Sequence, residues 1–123
     1  MEWTRSISPQ RSILVVTDDP VIVGTVGLVF RALGYDTRVA TSDDDVLALV
    51  AGERPTVVLC DVEFNGVDAC QLTRQIRTVE GGERVLVILT GYGTEPPANA
   101  ADGFVPRPFD PIKVVDLIET LGG

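Results

Sequence analysis

Five short apolar runs punctuate the chain: ILVV (13–16), TRVA (37–40), TVVLC (56–60), RVLVIL (84–89) and GFV (103–105). They are rich in β-branched residues and continuous rather than alternating, the pattern of strands buried on both faces of a parallel sheet. Longer segments with helical spacing lie between them. In the first, Ile22, Val26, Val29, Phe30 and Leu33 form one stripe, opened by Pro20 and closed by Gly34. The second is DDDVLALVAG (43–52), with acids in its first turn to complement the helix dipole and Gly52 at its end. A third is expected from Val67 to Val79, with Leu72, Ile76 and Val79 on one stripe. The last runs from Pro111 to Leu121, with Asp110 as N-cap and Val114, Val115, Leu117 and Ile118 buried.

One interval breaks the rhythm. Residues 90–102 read TGYGTEPPANAAD, and two glycines with a Pro-Pro pair leave room for one or two helical turns at most. Strands alternating with helices imply an α/β fold with helices on both faces of a parallel sheet. Right-handed crossovers restrict it to a few doubly wound forms, here five-stranded with a shortened or missing fourth helix. Residues 1–11 (MEWTRSISPQR) are aperiodic and contain Pro9, so a flexible N-terminal arm is expected there and a single domain over 12–123.

In such sheets ligands bind beyond the carboxyl ends of the strands. Those ends carry Thr17, Asp18 and Asp19, then Asp61, Thr90 and Arg107. Asp18 and Asp61 would converge, repel each other and resist desolvation. A hard divalent cation relieves that cost; magnesium takes one or two carboxylates together with carbonyls and waters. With the Thr90 hydroxyl and the Arg107 guanidinium nearby, the set suits a transferred phosphoryl group, whose charge is spread over its peripheral oxygens.

Composition narrows the choices. A length of 123 residues is one ordinary domain. Eighteen acids against ten Lys and Arg, a net charge of −8, argue against a nucleic-acid-binding face. No apolar run approaches the ~20 residues of a membrane span. The N-terminus has no apolar signal core, so a cytoplasmic location is expected. The sequence contains no histidine, so it holds no histidine phosphodonor, no His-based zinc site and no Ser-His-Asp triad. Cys60 and Cys70 form neither a disulfide framework nor a metal-ligand spacing and read as small buried thiols.

The strings ILVVTDDP (13–20), VVLCDVEFNGVDA (57–69), LTGYG (89–93) and GFVPRPFDP (103–111) resemble, in order and spacing, the receiver domain of response regulators in two-component signalling. The resemblance covers nearly all of residues 12–121. It implies a flavodoxin-like (βα)5 fold with Asp61 as phosphoacceptor and Asp18 as a direct magnesium ligand. The backbone carbonyl of Glu63 is implied as a third ligand, Thr90 as a switch hydroxyl and Phe104 as a mobile aromatic. The bond before Pro108 is expected to be cis. The implied role is a signalling phosphoacceptor that assists its own phosphorylation and dephosphorylation, and not an enzyme. A sensor histidine kinase or phosphotransfer protein would be the donor and a downstream protein the output, with no nucleic acid, no membrane and room for a homodimer.

Three features depart from the family pattern. Thr17 stands where the family keeps the first of two acids, one that mainly holds a metal-bound water, so weaker but retained magnesium binding is expected. Arg107 replaces a lysine, keeping charge but exchanging a point charge for a planar fork. The stretch from Thr90 to Arg107 is short. These departures support an alternative, a phosphorylation-independent pseudo-receiver acting as a binding module. A small hydrolase with an aspartyl nucleophile fits less well, since a threonine expected beyond Glu63 is absent. A flavin phosphate would meet the acidic TDDPV loop.

Overall fold

The computed structural model describes residues 11–93, 95–97 and 100–122. The expected N-terminal arm, apart from Arg11, lies outside the described residues. Strands β1 (Ser12–Val16), β2 (Asp36–Ala40), β3 (Val57–Asp61), β6 (Leu86–Gly91) and β7 (Gly103–Pro106) form one parallel sheet in the order β2-β1-β3-β6-β7. This is a doubly wound order, the flavodoxin-like one that the resemblance implies, with the switch point between β1 and β3. A two-residue ribbon, β4 (Glu63–Phe64) with β5 (Val67–Asp68), projects beyond β3. Its turn, Asn65-Gly66, has positive φ at both residues, +48° and +77°, the hairpin geometry that Asn-Gly favours.

Side chains alternate across the sheet, so each strand feeds two cores. Leu14, Val16, Val58, Cys60, Val87 and Leu89 pack with Val46 and Val50 of α2 (Asp43–Glu53) and Leu72 and Ile76 of α3 (Ala69–Ile76). On the other face Ile13, Val15, Val57, Leu59 and Ile88 pack with Val26, with Phe30 of α1 (Gly27–Ala32), and with Val114 and Ile118 of α4 (Pro111–Thr120). Three caps follow the sequence chemistry: Ser42, Asp68 and Asp110 each accept a backbone N–H of the helix they open.

Several boundaries differ from the sequence reading. The first helix does open at Pro20, but it passes through a π-helical turn, Ile22–Val26, before α1. Its expected stripe is buried only at Val26 and Phe30; Leu33, in the last turn, is exposed. Gly52 does not end α2, which runs to Glu53 and closes at Arg54 in the left-handed region (φ 50°). The third helix starts at Ala69 because Val67 is taken by the ribbon, and β6 starts at Leu86 because Gly82–Arg84 forms a 3₁₀ turn. In α4, Val115 and Leu117 are half-buried while Val114 and Ile118 are buried. Cys60 is buried and Cys70 half-buried.

The interval of the shortened or missing fourth helix is anchored locally. Among the described residues no helix lies between Gly91 and Gly103. Asp102 there bonds both polar groups of Val87: its N–H donates to the Val87 carbonyl (2.9 Å) and its carboxylate accepts from the Val87 N–H (2.8 Å). The same Oδ2 accepts from Arg77 (2.7 Å), whose other nitrogen donates to the carbonyls of Gly82 (2.9 Å) and Val85 (2.6 Å). One side chain thus ties the end of α3, the start of β6 and the start of β7. Asp102→Ala leaves the Val87 N–H and the Arg77 guanidinium without this acceptor. It is expected to lower the unfolding free energy by about 2 kcal/mol, read from urea denaturation; a change below a few tenths would mean that water replaces the carboxylate.

Candidate functional site

The residues at the carboxyl ends of β1, β3 and β6 are brought together by register. Asp61, the last residue of β3, pairs with Thr90 of β6, and Thr90 pairs with Val105 of β7. Val16 pairs with Cys60, which sets Thr17 beside Asp61. Thr17, Asp61 and Thr90 are all buried, at 1%, 4% and 2% exposure, which is unusual for polar side chains at the rim of a sheet.

Asp61 is approached from two sides. The Thr17 hydroxyl donates to its Oδ2 at 2.6 Å. One Arg107 nitrogen lies 3.2 Å from its Oδ1, while the other donates to Asp19 Oδ2 at 3.3 Å. The contact to Oδ1 is an ion pair off the hydrogen-bond axis, so Oδ1 is charge-compensated yet has no aligned donor. The Thr90 hydroxyl is likewise buried, with no hydrogen-bond partner among the described residues. Burial pushes the Asp61 carboxyl above the usual carboxylate range; the Thr17 bond and the Arg107 charge oppose that rise, and the neighbouring Asp18 and Asp19 add to it.

Arg107 is held on several sides. It follows β7 and precedes Pro108 through a cis peptide bond, as expected. Its backbone N–H donates to the Gly91 carbonyl at 3.0 Å, and its guanidinium lies 5.5 Å from the centre of the Tyr92 ring. The side chain is 8% exposed, although Tyr92 itself is 73% exposed. Asp19 serves two partners, since its Oδ1 also accepts from the Val21 N–H at the start of the first helix. The Asp-Asp-Pro string therefore caps that helix through Asp19.

Asp18 is exposed and turns toward the ribbon, where its Oδ2 accepts from the Asn65 N–H at 3.0 Å. Asn65 in turn donates from its side chain to the Thr41 carbonyl at 2.8 Å. Glu63, two residues past Asp61, lies in the ribbon with its side chain exposed. Phe104 is half-buried on the edge strand β7, opposite Leu89, and lines a cavity of about 130 Å³ with Pro96 and Ala101 on the side where the fourth helix is missing.

The donor set is all oxygen, the kind a hard divalent cation selects. The buried Asp61 Oδ1 without an aligned donor fits such an ion, or an incoming group, in kind. Among the described residues, however, no three acidic or thiol side chains already converge as a metal-ligand cluster. In this structure the positive charge beside Asp61 is Arg107.

The profile of the response regulator receiver domain matches residues 13–119 of this chain. The chain belongs to that family. Its fold is that of receivers in two-component systems, a signalling domain and not an enzyme family. It is 30% identical to the sporulation initiation phosphotransferase F of Bacillus subtilis over 112 residues, covering 87% of this chain and 90% of that protein. It is also 30% identical to the DNA-binding response regulator MtrA of Mycolicibacterium smegmatis over 113 residues, 86% of this chain. The chain spans about half the length of MtrA (48%), and a quarter or less of two other regulators it matches. Among solved structures, the receiver domain of a Pseudomonas aeruginosa sensor histidine kinase, with magnesium coordinated in its active-site cleft, superposes with a TM-score of 0.77. That match is 23% identical and covers 94% of this receiver and all of that chain. Among the described residues no helix is long and apolar enough to cross a membrane.

Two contacts at this site escaped the sequence reading. Thr17 is a direct partner of Asp61, and Asp19 a direct partner of Arg107. Asp19 had a signal, its place next to a helix-opening proline. For the Thr17 contact the sequence carried none.

Proposed function

We propose that this receiver accepts a phosphoryl group on Asp61 and signals through protein contact. The observation that carries this reading is the buried Asp61 Oδ1, an acceptor with no aligned donor, in a site that also holds the unpartnered Thr90 hydroxyl and the Arg107 charge. A nucleophile, a hydroxyl and a guanidinium gathered at one point suit an incoming phosphoryl group with its three peripheral oxygens. The 123 residues contain no histidine, so the donor is a phosphohistidine on a separate kinase or phosphotransfer protein or domain. Asp18 and Asp61, with the Glu63 carbonyl, are the groups that would hold Mg2+. The ion would supply charge neutralisation at the acceptor.

Thr90 and Phe104 are the proposed switch pair: one is a buried hydroxyl without a partner, the other a ring beside a cavity. Added phosphate charge, about −1.5 to −2, would draw the hydroxyl inward and let the ring repack. The missing fourth helix alters the surface next to Phe104, so the output partner or a second copy would meet a different face there. A cytoplasmic location and a domain over 12–123 belong to the same proposal.

Intact mass after incubation with magnesium and acetyl phosphate tests it. One added phosphoryl group is expected on the parent and none on Asp61→Asn. No gain on the parent at saturating magnesium would favour the phosphorylation-independent binding module.

A further inference from the structure

Thr17 occupies a position with two fixed hydrogen bonds. Its hydroxyl oxygen accepts the Asp19 N–H at 3.1 Å and its proton goes to Asp61 Oδ2 at 2.6 Å. At 1% exposure the hydroxyl has no access to water as an alternative partner. The rotor is therefore locked, and with it one oxygen of the Asp61 carboxylate. The second oxygen, Oδ1, faces Arg107 without an aligned donor. The two carboxylate oxygens are thus unequal: one is held by a neutral donor, the other is open and lies beside a positive charge.

We propose that Thr17 is a positioning residue for phosphoryl transfer, selecting Oδ1 of Asp61 as the attacking oxygen. The inference rests on Asp61 being the phosphoacceptor and adds how this chain, lacking an acid at position 17, orients it. A lone pair of Oδ1 forms the new O–P bond. The bond that breaks joins phosphorus to the donor atom, which leaves with the electron pair: an acyl oxygen leaves as the free carboxylate, and an imidazole nitrogen takes a proton from solvent. Oδ2 becomes the carbonyl oxygen of the acyl phosphate and keeps accepting from Thr17, so the hydrogen bond persists through the reaction. Arg107, already 3.2 Å from Oδ1, faces the phosphoryl oxygens that arrive there. A carboxylate free to rotate would present either oxygen, and loss of a near-attack orientation slows such a step.

The test compares initial rates of phosphorylation by acetyl phosphate, with magnesium in excess, followed by intact mass. The proteins are the parent, Thr17→Val, Thr17→Ser, Thr17→Ala and Asp61→Asn, each with its urea midpoint recorded. Thr17→Val keeps the shape and removes the donor; its maximal rate is expected to fall about tenfold or more. Its half-saturating acetyl phosphate concentration should stay within about twofold, since positioning acts on the step and not on donor binding. Thr17→Ser restores the donor and should recover most of the rate. If Thr17→Val does not fold, the Ser-against-Ala comparison carries the same contrast. Equal maximal rates for parent and Thr17→Val, or no recovery with serine, would overturn the role of Thr17 while leaving Asp61 as acceptor. No phosphorylation of the parent would overturn the acceptor reading, and this inference with it.

Discussion

Arg107→Ala is expected to lower the unfolding free energy by about 3 kcal/mol at neutral pH in the absence of divalent cations. Exposed ion pairs contribute little, about 0–1 kcal/mol, and the Asp19 end of this one, at 37% side-chain exposure, belongs near that range. The Asp61 end is different: the two side chains are 8% and 5% exposed. Removing the guanidinium leaves a buried carboxylate beside Asp18 and Asp19 with only the Thr17 hydroxyl to stabilise it. The effect should depend on pH with a definite sign. Burial already raises the Asp61 carboxyl above its ordinary value, and losing Arg107 raises it further. The folded state then binds this proton more tightly than the unfolded chain. The associated stability is fully present below the ordinary value of 3.8 and is lost as pH rises through the elevated folded value. The deficit of Arg107→Ala should thus be small near that lower limit and grow toward neutrality.

Asp61→Asn removes the ionisation and keeps an oxygen for Thr17, and Arg107 retains Asp19. That variant should be more stable than the parent at neutral pH. In its background Arg107→Ala should cost about 1 kcal/mol or less. Urea denaturation of the four proteins of this cycle, at an acidic and a neutral pH with chelator present, checks the argument. An equal cost in both backgrounds and at both pH values would show that Arg107 acts through packing against Tyr92, and would sink the electrostatic account.

Gly82→Ala is the second large effect, expected at about 3 kcal/mol or more, with a fall in Tm of more than about 10 °C. A Cβ at this position would lie 1.7 Å from the Ile76 carbonyl oxygen, 2.8 Å from the carbonyl carbon and 3.2 Å from Val79 Cγ2. The obstacle is backbone at the end of α3, where Ile76 is buried at 1% exposure, so no side-chain rotation relieves it. Moving the 3₁₀ turn away would break the Gly82 N–H bond to the Val79 carbonyl (2.9 Å) and the Arg77 bond to the Gly82 carbonyl (2.9 Å). Gly81 is the control. Its φ of +82° makes alanine strained, but a Cβ there meets only the flexible Arg54 side chain at 3.4 Å. Gly81→Ala should therefore cost about 1–2 kcal/mol. Thermal melts of both variants decide it; equally small losses would mean that the turn after α3 shifts without resistance.

The strands, the helix caps and the missing helix were legible because they rest on local chemistry. Continuous Val, Ile and Leu runs mark the central strands β1, β3 and β6, which are buried on both faces, whereas the edge strands β2 and β7 are partly exposed. Ser42, Asp68 and Asp110 cap the next helix through bonds two or three residues long. Pro96 and Pro97 keep their segment out of a regular helix by their own geometry. The strand-end polar residues were legible once the strands were, since a doubly wound sheet carries its chemistry there. Element ends were less legible. Gly52 looked like a helix stop, yet α2 closes at Arg54, the residue that Pro55 keeps out of the helix.

The sequence by itself determined a five-stranded doubly wound receiver, the place of Asp61, Thr90 and Arg107 at its strand ends, and the absence of an internal phosphohistidine. Only the tertiary structure decided their partners. The bond from Thr17 to Asp61 spans 44 positions and that from Arg107 to Asp19 spans 88. Neither residue pair has a local preference for the other. Their contact follows from strand register, which places β1, β3 and β6 in one sheet, and from burial, which leaves these polar groups few partners besides each other.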